Sequence, residues 1–395
     1  MEPYIPLGIV GLTRWFIWLA KKAVGFSYAP TEPNGKNFTF SVVAAVYNED
    51  PVFFKKALNS WKQDYPNEII AVIDHSDKSS IRIFKEFSQT FKNARLIVTK
   101  TPGKRPALAD GIKAARGEII ALVDSDTVWE ENMRFKIMAP FADPSVGGIS
   151  TRQEVSDANT ISRKLFNIQL SNRYFNEYPF LARTGDALSC LSGRTAIYRR
   201  KAIMSIVDEM LNEKFMGKKC ISGEDKALTN LVQSRGWKTR YVNNAVVKTF
   251  GAADIWTYIK QQIRWARNSW RADIKLLKSK WVWQREKILA VYIIDRFIQP
   301  FLLLLGPIYF ARAIIYQDWI IAGVLFSWWM ISRTVKIYRH LINNFSDIAV
   351  IPIYVVMTYA FAVVKIYALL TINKQGWITR WDKKRIAVIK KKPAY

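Results

Sequence analysis

The stretch EIIALVDSD, Glu118 to Asp126, places a short, largely β-branched and aliphatic run directly before two aspartates. Runs of this length, bounded by polar residues, are typical of buried strands. Similar runs precede it in the chain, and stretches with helical periodicity separate them. Strands are expected at Phe38–Val46, Glu68–Asp74, Arg95–Thr99 and Glu118–Asp124, and helices at Asp50–Gln63 and Arg105–Ala115. The alternation predicts an α/β fold built on a mostly parallel sheet.

Polar and acidic residues follow three of the expected strands. They are Tyr47-Asn48-Glu49, the segment Asp74–Asp77 and Asp124-Ser125-Asp126. In open parallel sheets, ligands bind outside the carboxyl ends of the strands. The sequence therefore predicts a functional site at this edge of the sheet.

The aspartate pair Asp124 and Asp126 is a candidate metal site. In an extended strand, residues separated by one position point to the same side, so the two carboxylates repel each other unless a cation lies between them. Mg²⁺ or Mn²⁺ is held in this way by one or two carboxylates together with phosphate oxygens of a substrate. A polar turn that merely ends a strand is the alternative interpretation of this motif.

Two further groups near the strand ends suit a nucleotide diphosphate. Asp74 could accept a hydrogen bond from a base N–H, or it could be a plain turn residue. Gly103, Lys104 and Arg105 combine a turn with two cations that suit a diphosphate, although Lys104 could also be a solvated charge. Their common position favours the nucleotide interpretation.

Two motifs in the second half of the chain carry candidate catalytic groups. Asp225, within ISGEDKALTNLV, precedes an amphipathic helix and could be a general base or a helix cap. Farther on, Gln261 and Trp265 share one face of an expected helix, with Arg264 beside them. Arg264 can neutralise a departing pyrophosphate, and the indole of Trp265 can stack on a sugar ring. A basic amphipathic helix on a membrane surface is the alternative.

The formal net charge of +27 over 395 residues implies an anionic partner. Nucleic acid, acidic lipid headgroups and phosphorylated substrates all match this charge. Nucleic acid is the weaker match, because the acidic strand ends would repel its phosphates. The two cysteines, Cys190 and Cys220, stand far apart without a CxxC motif or clustered histidines. Their arrangement argues against a disulfide framework and against a structural zinc site.

The C-terminal third contains apolar runs that are too long for ordinary core helices. The membrane candidates are Ile288–Ile315, Trp319–Ile331 and Ile348–Ile372. Three crossings would place the basic tail outside, against the positive-inside rule. One run is therefore expected to be re-entrant or interfacial, or the first run, broken by two prolines, does not cross simply.

Charged residues interrupt two of the apolar segments. Asp295 and Arg296 in the first C-terminal run are expected to face a polar channel or to pair with each other, unless they lie at headgroup level. The N-terminal segment Leu7–Phe26 contains Arg14, Lys21 and Lys22. This pattern favours an interfacial or tilted helix over a full span.

Four motifs together resemble those of processive family 2 glycosyltransferases. They are Asp74, Asp124-Ser125-Asp126, Gly223-Glu224-Asp225 and the QxxRW motif of Gln261–Trp265, within a resemblance that runs from about residue 38 to 385. Hyaluronan and chitooligosaccharide synthases look most similar, through the segments Gly103–Arg105, Cys190–Gly193 and Trp377–Arg380. Arg194, Glu224 and Ile378 stand where hyaluronan synthases commonly have Pro, Asp and Gly, which leaves the identity of the sugar open.

The resemblance implies a GT-A catalytic domain, with a Rossmann-like mostly parallel sheet, on the cytoplasmic face of the plasma membrane. Interfacial helices and C-terminal transmembrane helices would follow this domain. The implied regions are an N-terminal membrane or interfacial helix (1–30), the catalytic domain (37–250), interfacial helices with QxxRW (251–285), the transmembrane region (286–373) and a basic cytoplasmic tail (374–395).

The resemblance also implies inverting transfer from a UDP-sugar to a growing polysaccharide acceptor, which the enzyme would secrete, with Mg²⁺ or Mn²⁺ as cofactor. Asp225 would deprotonate the acceptor hydroxyl, Asp126 with Asp124 would hold the metal, and Arg264 would help the UDP to leave. The implied UDP site comprises Ala45, Tyr47, Glu49, Asp74, Lys104, Arg105 and Asp124, the acceptor site Cys190, Ser192, Gly193, Glu224 and Trp265, and the catalytic group Asp225, Gln261, Arg264 and Trp265. Transfer of a single sugar to a lipid phosphate is the alternative activity, and a membrane-associated nucleic-acid-binding protein is a further alternative.

Overall fold

A computed structural model describes residues 4–33 and 35–376 of the chain, so the predicted segment Trp377–Arg380 and most of the basic tail lie outside the described residues. The strands are β1 (Phe40–Val46), β2 (Glu68–Asp74), β3 (Ala94–Thr99), β4 (Ile119–Asp124), β5 (Val128–Trp129), β6 (Val146–Val155), β7 (Thr195–Arg199), β8 (Lys214–Phe215), β9 (Lys218–Lys219) and β10 (Lys238–Thr249). All four strands that the sequence predicts are therefore confirmed, with small shifts at their first residues.

Helices alternate with the first strands and then dominate the C-terminal part. They are α1 (Ile5–Phe26), α2 (Pro51–Gln63), α3 (Lys78–Thr90), α4 (Lys104–Ala114), α5 (Met133–Met138), α6 (Ile161–Asn172), α7 (Tyr178–Thr184), α8 (Arg200–Met204), α9 (Val207–Leu211), α10 (Glu224–Ser234), α11 (Ile255–Lys278), α12 (Lys280–Arg285), α13 (Lys287–Ile315), α14 (Trp319–Lys336), α15 (Tyr338–Asn343) and α16 (Ile351–Leu370). A π-helical turn, Arg173–Glu177, joins α6 to α7.

The central sheet has the strand order β3-β2-β1-β4-β7-β6-β10-β5. Strands β1 to β4 are parallel to one another, β7 is antiparallel to both of its neighbours, and β6 and β10 are parallel. The chain first moves from β1 outward to β3 and then returns to place β4 on the other side of β1. This reversal opens a crevice at the carboxyl ends of β1 and β4, where the register sets Ala45 beside Asp124.

Both faces of the sheet are covered, which explains why its strands read as nearly continuous apolar runs. Along β1, Val43 faces one buried cluster, while Val42 and Ala44 face the other. Helix α2 contributes the fully buried Trp61 to the second cluster, and its indole N–H donates to the carbonyl of Thr127 at 2.9 Å. The loop after β4 is thereby fixed to the core, directly behind the acidic strand end.

Two helical segments are long and apolar enough to cross a membrane, α13 and the segment Phe345–Leu370 that ends in α16. The third predicted run forms α14 but is not among them, because its basic last turn lowers its mean hydropathy. Of the three membrane candidates proposed from sequence, the structure therefore supports two.

Helix α1 lies antiparallel to α13. Its first end packs Tyr4 against Tyr309, with ring centroids 5.8 Å apart, and near its other end the Lys21 ammonium lies over the ring of Tyr292 at 5.2 Å. Asp295 of α13 forms ion pairs with Arg14 and Lys21 of α1. The expectation that Asp295 pairs with Arg296 is therefore wrong, because the neighbouring helix supplies two closer cations.

Candidate functional site

A cavity of about 1050 Å³ opens at the carboxyl edge of the sheet and continues beneath α11 to the space between α13 and α16. Its walls include nearly every residue that the sequence proposed for the site: Ala45, Tyr47, Glu49, Asp74, Lys104, Asp124, Asp126, Cys190, Ser192, Gly193, Glu224, Asp225, Gln261, Arg264 and Trp265. Residues separated by more than two hundred positions thus share one cleft.

The outer part of the cleft is built from the ends of β1, β2 and β4. Ser125 donates to Glu49 Oε2 at 2.6 Å and so ties the ends of β4 and β1 together. Asp74 Oδ1 accepts from the backbone N–H of Ser76 at 2.9 Å and from its hydroxyl at 2.6 Å. Asp74 therefore stabilises a turn and lines the cleft at the same time, so the two sequence interpretations are compatible.

Lys104 lies between two carboxylates from different parts of the chain. It begins α4 after Gly103, whose φ of +116° favours glycine. Its ammonium is 2.6 Å from Asp124 Oδ1 and 2.8 Å from Glu224 Oε1. Burial alone would lower the pKa of Lys104, but the two carboxylates outweigh it and raise this pKa. Burial would likewise raise the pKa of Glu224, and the attraction of Lys104 reverses the shift and lowers it.

Arg105 corrects one sequence assignment, because its side chain does not line the cleft. Its guanidinium is buried, lies 2.7 Å from Glu213 Oε2 and donates to the carbonyls of Met210 and Ser222. Consecutive helical residues point about 100° apart, so Lys104 and Arg105 diverge from the first turn of α4. Arg105 fastens the loop that precedes α10, and the diphosphate role proposed for it does not fit this position.

Asp124 and Asp126 both line the cleft at the end of β4, as expected. Their oxygen ligands suit Mg²⁺ or Mn²⁺, which prefer carboxylate and phosphate oxygens. Among residues 4–33 and 35–376, no group of three or more His, Cys, Asp or Glu side chains gathers around one point. Asp124 and Asp126 would therefore hold such a cation only together with oxygens of a substrate or water, and Asp124 Oδ1 is already 2.6 Å from the Lys104 ammonium.

Asp225 stands in the first turn of α10, where its Oδ1 accepts a hydrogen bond from the backbone N–H of Lys226 at 2.8 Å, so a role at the helix end and a role as general base are both compatible with its position. The capping residue is Gly223, with φ of +80°, and it provides no side-chain bond. Asp225 lies against the thiol of Cys190. Burial first, and then the negative charge of Asp225, raise the pKa of Cys190 well above its usual value. Cys190 therefore presents a neutral thiol beside a carboxylate.

Gly193 lies directly over these charged groups. A Cβ atom at this position would stand 3.2 Å from Lys104 Nζ and 3.8 Å from the Cβ of Asp225. A larger side chain at this position would reach into the space between Lys104 and Asp225, so glycine keeps that space open.

Helix α11 brings Gln261, Arg264 and Trp265 to the cleft wall. The guanidinium of Arg194 lies beside two rings that contact each other, 5.1 Å from the centroid of Trp265 and 4.9 Å from that of Phe166. Arg194 is also held by Gln153 and Thr249, at 3.0 and 3.2 Å. The residue that departs from the hyaluronan synthase pattern thus supports one side of the Trp265 indole.

The inner end of the cleft contains charged residues that the sequence did not assign to the site. Arg173 comes from the π-helical turn, Arg296 from α13 and Lys365 from α16, and Glu177 lies among them. Lys365 could have been found, since it is a lone charge within an apolar run, and Arg296 was noted only as a costly charge. Arg173 carries no comparable signal in the sequence.

Comparisons with known proteins give a consistent result. Residues 37–268 match the family described as "Glycosyltransferase like family 2". An N-acetylglucosaminyltransferase of Rhizobium leguminosarum bv. viciae is 32% identical over 242 residues, which cover 60% of this chain and 57% of that protein. An N-acetylglucosaminyltransferase of Neorhizobium galegae is 27% identical over 378 residues, 91% of this chain and 84% of that protein.

A solved structure extends the likeness to the helical region. The mannosyltransferase PcManGT of Pyrobaculum calidifontis, determined with GDP-Man and Mn²⁺, has a TM-score of 0.63 to this chain at 18% identity. The superposition covers 96% of this chain and 98% of that protein. At this identity the likeness establishes the fold, a GT-A sheet with helices packed at its C-terminal end.

Proposed function

The chain belongs to the family 2 glycosyltransferases, and from this membership we propose that it transfers N-acetylglucosamine from its UDP derivative to a hydroxyl group of a growing glycan. The sugar is suggested by the names of the rhizobial relatives, of which the first aligns over little more than half its length. A hyaluronan- or chitin-type oligosaccharide is the proposed product, formed by repeated inverting transfer.

One observation carries the proposal: the strand-end acids and the QxxRW residues line a single cleft. Asp74 and the β4 aspartates come from the sheet, Asp225 comes from α10, and Trp265 comes from α11. A donor nucleotide over the strand ends and an acceptor beside Trp265 would meet next to Asp225. A surface role for the basic helix gives no reason for this convergence.

The proposed chemistry gives each of the following residues of the cleft a separate role. Asp225 accepts the proton of the acceptor hydroxyl, whose oxygen attacks the anomeric carbon and inverts its configuration while the bond to the diphosphate breaks. Arg264 and Lys104 offset the negative charge that grows on the departing UDP. Mg²⁺ or Mn²⁺, held by Asp124 and Asp126, would supply further charge neutralisation on the diphosphate.

Ala45, Tyr47, Glu49 and Asp74 are proposed to bind the nucleoside, because they lie at the ends of β1 and β2 and line the cleft. Cys190, Ser192 and Gly193 are proposed to border the acceptor. The neutral Cys190 thiol and the buried, hydrogen-bonded Ser192 leave Asp225 as the proposed proton acceptor at this point. Gln261 and Glu224 are proposed to position the reacting groups from either side.

Two long apolar helices support a proposed location at a membrane. We propose that α13 and α16 cross or enter the bilayer of the plasma membrane, with the catalytic domain in the cytoplasm. Helix α1 would lie beside α13 and present an apolar stripe to the lipid, formed by the exposed side chains Ile5, Ile9, Leu12, Phe16 and Leu19. With two crossings instead of three, the basic tail returns to the cytoplasmic side, as the positive-inside rule requires.

Incubation of the purified full chain with radiolabelled UDP-sugars and GDP-mannose, followed by sizing of the products, tests the proposal. We expect a ladder of oligosaccharides with UDP-N-acetylglucosamine. A single-sugar product on lipid would favour the alternative activity, and transfer from GDP-mannose alone would exclude the proposed donor. Asp225→Asn should stop transfer, whereas Asp208→Asn, a matched change at an exposed surface ion pair with Lys113, should not.

A further inference from the structure

We propose that the inner end of the cleft binds the phosphate group of a membrane lipid that carries the acceptor, through Arg173, Arg296 and Lys365. The inference rests on the proposed function and names the class of its acceptor. None of the family motifs includes these three residues, and they come from a π-helical turn and two different apolar helices.

The positive charges of these three residues are not balanced by a close carboxylate. Among the described residues, no Asp or Glu oxygen lies within 4.0 Å of the side-chain nitrogens of Arg173, Arg296 or Lys365. Arg296 has only a long contact of 3.5 Å to the Ser269 hydroxyl and an aromatic contact with Tyr292. All three side chains are half-buried, and cations partly removed from water are normally paired with an anion, because their desolvation is costly. A bound anion would supply the missing partner.

The acids nearby do not supply it. Glu177 accepts a hydrogen bond from the Tyr292 hydroxyl at 2.5 Å and interacts at longer range with both Arg173 and Arg296. Asp273 is already paired with Lys226. Counted with Lys226, four cations therefore share the two carboxylates of Glu177 and Asp273, which leaves a net positive site. The oxygens of a phosphate diester, which keeps one negative charge when a lipid and a sugar are both attached, can accept hydrogen bonds from several of these cations at once.

The surroundings of these cations are partly apolar. Beyond them the cavity wall includes the apolar side chains of Leu303 of α13 and Phe361 and Ala362 of α16. Gln299, Tyr354 and Thr358 also line it, and the hydroxyls of Tyr354 and Thr358 are hydrogen-bonded within the protein. Arg296 and Lys365 belong to the two helices that are apolar enough to cross a membrane. A ligand that fills both parts has an anionic head and an apolar tail. The phosphate ester of a long-chain lipid has this form, whereas free phosphate or a soluble glycan does not.

The cations also lie near Asp225, the proposed proton acceptor. Arg173 is an electrostatic neighbour of Cys190, and Cys190 lies against Asp225. A lipid phosphate held at the inner cations would therefore place an attached sugar beside Asp225, with its tail leaving between α13 and α16. The reaction stays the proposed one, in which the hydroxyl of that sugar attacks the donor and UDP departs.

Binding of a short-chain polyisoprenyl phosphate to the full chain in neutral detergent micelles tests the inference, with the matching polyisoprenol and inorganic phosphate as separate probes. We expect saturable binding of the lipid phosphate and at least about tenfold weaker binding of the other two, because each lacks one half of the ligand. Equal binding of polyisoprenol, or of inorganic phosphate alone, would overturn the assignment of a lipid phosphate.

Variants locate the site. Lys365→Gln should weaken lipid-phosphate binding about tenfold or more, whereas Lys374→Gln, an exposed lysine just beyond the same helix, should bind as the parent does. Arg173→Gln provides a second, independent variant if Lys365→Gln fails to fold. Parent-like binding in a folded variant of either residue would refute the proposed site.

UDP titration and donor turnover with soluble chitooligosaccharide, measured on the same samples, separate this inference from the proposed function. Transfer to the soluble acceptor without lipid-phosphate binding would refute the lipid-phosphate site and leave the proposed function standing. Lipid-phosphate binding without turnover of any UDP-sugar would refute the proposed transfer from a UDP-sugar and leave the lipid-phosphate site standing.

Discussion

Replacement of Lys104 by methionine tests the central ion-pair network. In the protein, the Lys104 side chain is 18% exposed and Glu224 is 8% exposed, so the variant leaves Glu224 buried without its cation. Breaking a buried pair in this way costs about 3–5 kcal/mol, and the lower end applies here because Asp124, the other partner, can be solvated. We expect Lys104→Met to lower the free energy of unfolding by about 3 kcal/mol at pH 7.

The pH dependence gives the sharper result. In the parent, the pKa of Glu224 lies below its usual 4.5, so the stability that this pair contributes is present above that value and is lost as the pH falls below it. In Lys104→Met, burial acts without the opposing cation and should raise the pKa of Glu224 above 4.5. Protonation of Glu224 then removes the unpaired buried charge from the variant. The difference in free energy of unfolding between parent and variant should therefore narrow as the pH falls from 7 to 4.

Thermal unfolding in detergent across this pH range is the measurement, with Lys104→Met/Glu224→Gln as the control. The double variant removes the buried charge, so it should recover much of the lost stability and show a nearly pH-independent gap to the parent. A gap for the single variant that stays constant from pH 7 to pH 4, or no recovery in the double variant, would refute the proposed balance of burial against ion pairing.

Three further predictions concern activity. Asp225→Asn should reduce transfer by roughly 10²–10⁴-fold while UDP affinity changes little, and radiolabelled transfer with UDP titration checks both quantities. EDTA should stop transfer and Mg²⁺ or Mn²⁺ should restore it, so turnover in the continued absence of metal would speak against Asp124 and Asp126 as ligands. Arg194→Met should loosen the Trp265 ring and raise the acceptor KM several-fold with a smaller effect on UDP affinity, and equal changes in both would contradict a role confined to the acceptor side.

The outer half of the cleft was predictable because the carboxyl ends of parallel strands all lie at one edge of the sheet. Once a buried strand ends at Asp74 and another ends at Asp124, the two residues must emerge at the same edge. No knowledge of side-chain packing is needed for that step. The same simplicity explains why the bounds of β1 to β4 were nearly correct from short apolar runs alone.

Arg105 shows where such reasoning fails. A Gly-Lys-Arg segment supplies two neighbouring cations, but only the phase of the helix decides which one faces the ligand. The phase depends on where α4 begins, and Gly103 with its positive φ sets that point at Lys104. Helix ends are the least certain part of a sequence-based prediction, so a residue whose role depends on one is easily misassigned.

The inner half of the cleft depends on tertiary packing that no local pattern contains. Lys365 reaches the cleft because α16 lies along α11, where the Trp270 indole N–H donates to the carbonyl of Lys365 at 2.8 Å. Arg267 and Arg271 of α11 hold the end of α16 through Thr371 and the carbonyl of Ile372. Sequence periodicity identified both helices as amphipathic or apolar, but not that they would dock on each other.

That docking connects the two ends of the proposed reaction. Helix α11 carries Arg264 and Trp265 toward the nucleotide and acceptor, and one turn later it binds the backbone of α16 at Lys365. A shift of α16 would therefore move the inner cation and the QxxRW residues together, because Arg267, Trp270 and Arg271 of α11 all bond to the end of α16. Trp270→Phe removes one of these bonds, so binding of the lipid phosphate should weaken while UDP affinity, measured by titration on the same samples, stays unchanged.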